Sequence, residues 1–249
     1  MNTVNALLIS TVAGMSTLLG GILIFFNIKP EKINKFISLC LSFSIAIMIG
    51  ISITDLMPSS FFNVMVSYKF ITGITIALLS FTIGIISVII INKLMDNNKN
   101  NSLYKLGILS MIALVLHNFP EGIATFIGSV KDTTLGIKLS FAIMLHNIPE
   151  GISIAVPIYY ATGSKKKALY NTFLSGLAEP LGAFLAFIFL KRYVNDLMIS
   201  IVLLFVAGIM ITLAINEMLP KALSYKEDKF IYLGLLLGII LILFNHFAF

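Results

Sequence analysis

Eight apolar stretches, each about 20 residues long, follow one another along this chain with short polar connectors between them. In lipid, a segment of that kind satisfies its backbone hydrogen bonds internally only as a helix. Strands of a membrane barrel would alternate polar and apolar residues, and these stretches do not. The fold class expected is an all-α polytopic membrane protein, one domain over residues 1–249. Its spans fall at about 3–26, 36–57, 69–91, 105–129, 135–159, 168–190, 197–219 and 229–247. Hydrophobic residues make up 58% of the chain and charged ones 11%, with a mean hydropathy of +1.01, which excludes an ordinary soluble domain. The single cysteine, Cys40, excludes an intrachain disulfide framework and a thiolate metal site. The N-terminus has neither a basic segment nor a small-residue cleavage site, so it reads as the first span and not as a removed signal.

The connectors orient the bundle. Lys29, Lys32 and Lys35 follow the first span, Lys93, Lys99 and Lys105 the third, Lys165, Lys166 and Lys167 the fifth, and Lys221, Lys226 and Lys229 the seventh. The opposite side collects only Lys69, Lys131, Lys138, Lys191 and Arg192. The richer side is cytoplasmic by the positive-inside rule, so both termini are expected to be extracytoplasmic in the plasma (cytoplasmic, or cell inner) membrane. Anionic lipid accounts for the net charge of +6, and no nucleic-acid partner is needed. The lipid bilayer is the one macroscopic partner implied, and a homodimer stays open. The most polar connector, Asp96–Ser102, is expected to be flexible.

Of eleven acidic residues, five fall within the apolar runs: Asp55, Glu121, Glu150, Glu179 and Glu217. An ionisable group at the bilayer centre costs roughly 2.5 to 3.5 kcal/mol on insertion scales, so it marks function. Each of the five also lies within three residues of a proline. Interrupted helices with intramembrane acids are how transporters build an ion site at mid-membrane. Asp55 and Glu217 sit near the expected ends of the second and seventh spans, where they read as an entrance and an exit acid or as solvated helix ends. The strings Thr54-Asp55-Leu56-Met57-Pro58 and Asn216-Glu217-Met218-Leu219-Pro220 occupy oppositely oriented spans. That pattern suggests a 3+2+3 inverted repeat, spans 1 to 3 against spans 6 to 8, around a central pair.

The central pair carries the same motif twice, His117-Asn118-Phe119-Pro120-Glu121-Gly122 and His146-Asn147-Ile148-Pro149-Glu150-Gly151. His and Glu four residues apart share one helix face, one turn apart, and a metal fits between them. The prolines loosen the carbonyls of Leu116 and Leu145, and the glycines leave room for a neighbouring helix. A packing histidine would not account for two of the chain's three histidines standing in one repeated context. Glu179, amid Ser175-Gly176-Leu177-Ala178-Glu179-Pro180-Leu181-Gly182-Ala183 near the middle of the sixth span, is the third-helix ligand expected.

Imidazole and carboxylate without thiolate suit Zn, Fe(II), Mn, Co and Cd. The asparagine amides add weak neutral oxygens, and bridging by Glu121 and Glu150 makes two ions feasible. One would be held by His117, Glu121, His146 and Glu150, and the other towards Asn118, Asn147 and Glu179. Such mixed ligands suit passage and release. An intramembrane metallohydrolase would want the His-Glu-x-x-His arrangement, and this chain has His-x-x-x-Glu, so no enzyme is expected. A metal-gated receptor or channel is the other alternative. No phosphate-cradling loop is present, which argues against ATP-driven transport.

On these residues, HNFPEG in the fourth span, HNIPEG in the fifth and SGLAEPLGA in the sixth, the chain resembles the ZIP (Zrt/Irt-like) family of metal importers, in its bacterial ZupT-like branch. The resemblance covers the whole length. It implies metal binding at His117, Asn118, Glu121, His146, Asn147, Glu150 and Glu179, a 3+2+3 helix bundle, and movement of divalent metal into the cytoplasm, zinc foremost. The metal is then transported substrate, one or two ions at a time. The family's long His-rich loop between the third and fourth spans is missing: Asn92 to Asn101 contains no His.

Overall fold

The computed structural model describes residues 3–25, 30–95, 103–190 and 195–248; the side chains of some helical positions, that of His117 among them, lie outside the described residues. Lys29, Lys99, Lys191, Arg192 and the whole polar connector Asp96–Ser102, expected to be flexible, lie outside them as well.

Among the described residues every regular element is helical, and the elements make eight rods. The first joins α1 (Thr3–Met15) to α2 (Thr17–Ile22) and closes in a 3-10 turn, Leu23–Phe25. The second runs through α3 (Pro30–Ile51), a π turn (Ser52–Leu56) and α4 (Met57–Ser67). Single helices follow as α5 (Phe70–Met95), α6 (Leu103–Lys131) and α7 (Thr133–Thr162). The sixth rod is α8 (Lys165–Leu185) with a π turn, Ala186–Leu190. The seventh is α9 (Asp196–Leu213), a π turn (Ala214–Met218) and α10 (Leu219–Ser224), and the eighth is α11 (Asp228–Ala248).

Local chemistry sets the boundaries. Asp132 caps α7 by accepting from the Thr134 amide at 2.7 Å, and Gly163, at φ 65°, ends it in the left-handed conformation. Ser164 caps α8 and Asn195 caps α9. The second and seventh rods extend further than the sequence suggests, to Ser67 and Ser224 instead of about 57 and 219. The cause is the same in both. Pro58 and Pro220 would clash with the carbonyls of Thr54 and Asn216, and the chain widens by one residue to pass them. The Met57 amide then reaches the Ser52 carbonyl, and the Leu219 amide the Ala214 carbonyl. Asp55 and Glu217 therefore sit inside π turns, half-buried, and not at helix ends.

Among the described residues, six runs are long and apolar enough to cross a membrane: Thr3–Phe25, Lys32–Ser67, Phe70–Ile90, Gly136–Thr162, Lys165–Phe189 and Leu197–Ser224. In the apolar window of α7 78% of residues are buried, against 28% in α5, so α7 is central and α5 peripheral. The outer faces of α5 and α11 are apolar, with Ile71, Leu236 and Phe244 exposed, as lipid-facing surface is.

The rods pack in matching pairs. α6 lies along α7 and α8, while α7 lies along the first rod; α3 flanks α7 and α9 flanks α6; α11 covers α3 and α5 covers α9. Glycines set the inner crossings. A side-chain carbon on Gly122 would run into the Glu179 carbonyl and one on Gly182 into that of Phe119. Likewise, one on Gly151 would meet the Thr17 carbonyl and one on Gly20 that of Ile148. Gly14 and Gly176 oppose each other's carbonyls where the first and sixth rods cross. These contacts hold helix backbones close enough for short polar side chains to bridge them.

Gly182→Val drives a branched side chain into backbone and is expected to cost about 3 kcal/mol, with loss of folded protein in detergent. Gly163→Ala, in open space but at positive φ, is expected to cost about 1 to 2 kcal/mol. Thermal melting of the two solubilised variants checks the difference, and equal losses would contradict the tight crossing.

Candidate metal centre

The repeated motif meets itself across the α6–α7 crossing. His146 Nε2 lies 3.0 Å from Glu121 Oε1, imidazole of one copy against carboxylate of the other. Glu150 is an electrostatic neighbour of both, and Glu179 on α8 is a neighbour of Glu121 and Glu150. Exposure decides how this cluster is to be read: Glu121 is 1% exposed, and His146, Glu150 and Glu179 are 0% exposed. Three carboxylates buried near one another repel strongly in a medium that screens poorly. Such a cluster is satisfied either by keeping protons on some of its carboxyls or by taking a cation between them.

The asparagines hold the frame. Asn147 Nδ2 donates to Glu179 Oε2 and to the Ala13 carbonyl, both at 3.0 Å, which ties α7 to α8 and to α1. Asn118 Nδ2 donates to the Ser175 carbonyl at 3.1 Å, which ties α6 to α8. Ser44 on α3 donates to the His146 carbonyl at 3.2 Å, and Ser16 donates to that of Met144 at 3.1 Å. α6 and α7 run on as helices through Pro120, Pro149 and Pro157.

Among the described residues, then, Asn118, Glu121, His146, Asn147, Glu150 and Glu179 are all buried at the α6–α7–α8 junction. No three His, Cys, Asp or Glu side chains of the described set are already drawn into a metal cage. Glu121 and His146 touch each other, and Glu179 rests on Asn147. The His117 side chain lies outside the described residues. Asp55 and Glu217 lie in the second and seventh rods, away from this junction: Asp55 Oδ2 accepts from the Thr54 hydroxyl at 2.6 Å, and Glu217 faces Lys221 one turn on.

Sequence reasoning missed the first rod, whose Ala13 carbonyl holds Asn147 and whose glycines receive α7 and α8. A signal was there. Gly14, Thr17 and Gly20 have the spacing of Gly176, Glu179 and Gly182.

A family model described as ZIP Zinc transporter matches residues 96–246. The "Zinc transporter ZupT" of Streptococcus mutans is 35% identical over 250 residues, covering 95% of this chain and 94% of that one. The chain belongs to the ZIP family. The protein of the same name from Campylobacter jejuni is 34% identical over 270 residues, covering 94% and 92%. That of Oceanobacillus iheyensis is 56% identical over 124 residues, so the match spans 50% of this ZIP chain and about half, 46%, of its relative. ZIP relatives of these names are called transporters and not enzymes.

Asn147→Leu leaves the Ala13 carbonyl and Glu179 without their bridge in the interior. The expected cost is about 2 to 3 kcal/mol of stability, read as a lower melting temperature in detergent, with Asn147→Asp, which gives up both amide donors beside Glu179, losing no less.

Proposed function

We propose that this protein carries zinc, with Fe, Mn, Co and Cd as competing substrates, across the plasma membrane into the cytoplasm. The metal passes through a site formed by His117, Asn118, Glu121, His146, Asn147, Glu150 and Glu179. The observation that carries this reading is the buried contact of Glu121 with His146, with Glu150 and Glu179 beside it. A divalent cation between these carboxylates would relieve their mutual repulsion, and imidazole with carboxylate is a donor set that transition metals accept. One ion would engage His117, Glu121, His146 and Glu150, and a second would lie towards Asn118, Asn147 and Glu179. The name printed for the relatives, zinc transporter, points to zinc first.

On this reading eight spans place both termini outside, in a 3+2+3 inverted repeat. Several pairings support it. The π turns of the second and seventh rods each carry an acid and precede a proline, and the Gly122/Glu179 and Gly182/Phe119 crossings are matched by Gly151/Thr17 and Gly20/Ile148. Asp55 would face the metal's entrance and Glu217 its exit. A homodimer is compatible with the apolar outer faces.

Proteoliposomes loaded with a zinc-sensitive dye test the proposal. Wild type should accumulate zinc, and the Glu121→Ala/Glu150→Ala variant and His146→Ala should not, at unchanged abundance. Glu179→Ala should change rate or metal preference more than it removes transport. Normal uptake by the double variant overturns the site assignment. Metal bound but not moved by folded wild type would overturn transport.

A further inference from the structure

The first and sixth rods cross the central pair in the same way, residue for residue, yet one carries an acid where the other carries a hydroxyl. Glu179 Cβ lies against Gly14, its carbonyl meets Gly122, and its carboxylate reaches Asn147. Thr17 Cβ lies against Gly176, and its carbonyl meets Gly151. The partner asparagines match too: Asn147 donates to the Ala13 carbonyl and Asn118 to the Ser175 carbonyl, four residues before Thr17 and Glu179 respectively. The correspondence thus places Thr17 on the Asn118 side, as Glu179 stands on the Asn147 side.

Three oxygens on that side are fully buried. Thr17 Oγ1, Asn118 Oδ1 and Ser175 Oγ have no hydrogen-bond partner among the described residues, and each of these residues is 0% exposed. Buried polar atoms are otherwise almost always satisfied. Ser175 corresponds to Ala13, so this hydroxyl, like that of Thr17, distinguishes one side from the other.

We infer that Thr17, with Asn118 and Ser175, forms a neutral-oxygen subsite for the divalent cation, the uncharged counterpart of the Asn147–Glu179 side. Resting on the transport reading above, the inference adds a binding residue from the first rod. Hydroxyl and amide oxygens bind divalent cations weakly and favour harder ions. A cation leaving the carboxylate cluster is therefore held by Thr17 only briefly, and the hydroxyl biases competition towards Mn over Cd.

Thr17→Val removes the hydroxyl at nearly constant shape. In proteoliposomes it should slow zinc uptake about tenfold, the worth of roughly one lost polar contact, and weaken manganese competition more than cadmium competition. Thr17→Ser should restore both. Thr17→Glu, which copies the charged side, should raise zinc affinity in calorimetric titration and slow its release. A merely structural threonine would change melting temperature in Thr17→Val without moving the competition order, and that result overturns the subsite. So does Thr17→Glu with wild-type zinc affinity, which remains readable if Thr17→Val does not fold. Glu121→Gln in the same assay separates the two readings. Uptake lost there but unchanged in Thr17→Val refutes the subsite alone, whereas uptake retained in Glu121→Gln refutes the site on which it rests.

Discussion

Burying charge is the constraint on which the rest of this structure depends. Glu121, Glu150 and Glu179 are shut away from solvent in the centre of an apolar bundle. Each is unfavourable there by several kcal/mol unless a partner meets it at hydrogen-bond distance. For Glu121 and Glu179 a hydrogen-bond partner comes from another helix. His146 reaches Glu121 across α6–α7, and Asn147 reaches Glu179 across α7–α8. Both side chains are short, so the backbones have to approach. The glycine crossings are the means of that approach, and they explain why small residues cluster at the level of the acids.

Helical character was legible because apolar runs of spanning length have one low-energy backbone solution. The helical elements answer to all eight expected runs, though only six meet the length and composition of a span among the described residues. The centre showed in repetition: two hexapeptides alike but for Phe119 and Ile148 sit on α6 and α7, and His146 of one meets Glu121 of the other. Rod ends were not. Acid followed by proline reads as a helix stopping at an interface, and nothing in Asp55-Leu56-Met57-Pro58 announces that a π turn lets the helix continue. The first rod was silent for another reason. Its contribution to Asn147 is a backbone carbonyl, which no side chain advertises.

Congruent crossings with incongruent side chains define what is particular to this chain. The pairs Gly14 and Gly176, Gly20 and Gly182, and Pro58 and Pro220 preserve backbone geometry, since replacing any one would alter a crossing or a π turn. The pairs Thr17 and Glu179, Ala13 and Ser175, and Ser59 and Lys221 change charge or polarity while leaving that geometry alone.

A scaffold that presents like backbones on two sides offers a bound cation two similar environments and no direction between them. The net direction is set by the metal's own electrochemical gradient, and the side chains set how firmly each place holds the ion. Here the differences fall at the acids. Asp55 rests on a neutral hydroxyl, whereas Glu217 has a lysine one turn away. An acid paired with a hydroxyl keeps its attraction for a cation, and an acid facing an ammonium has much of it cancelled. On the proposed topology the first is at the entrance and the second at the exit, so a cation is held more firmly where it enters and let go more readily at the other end.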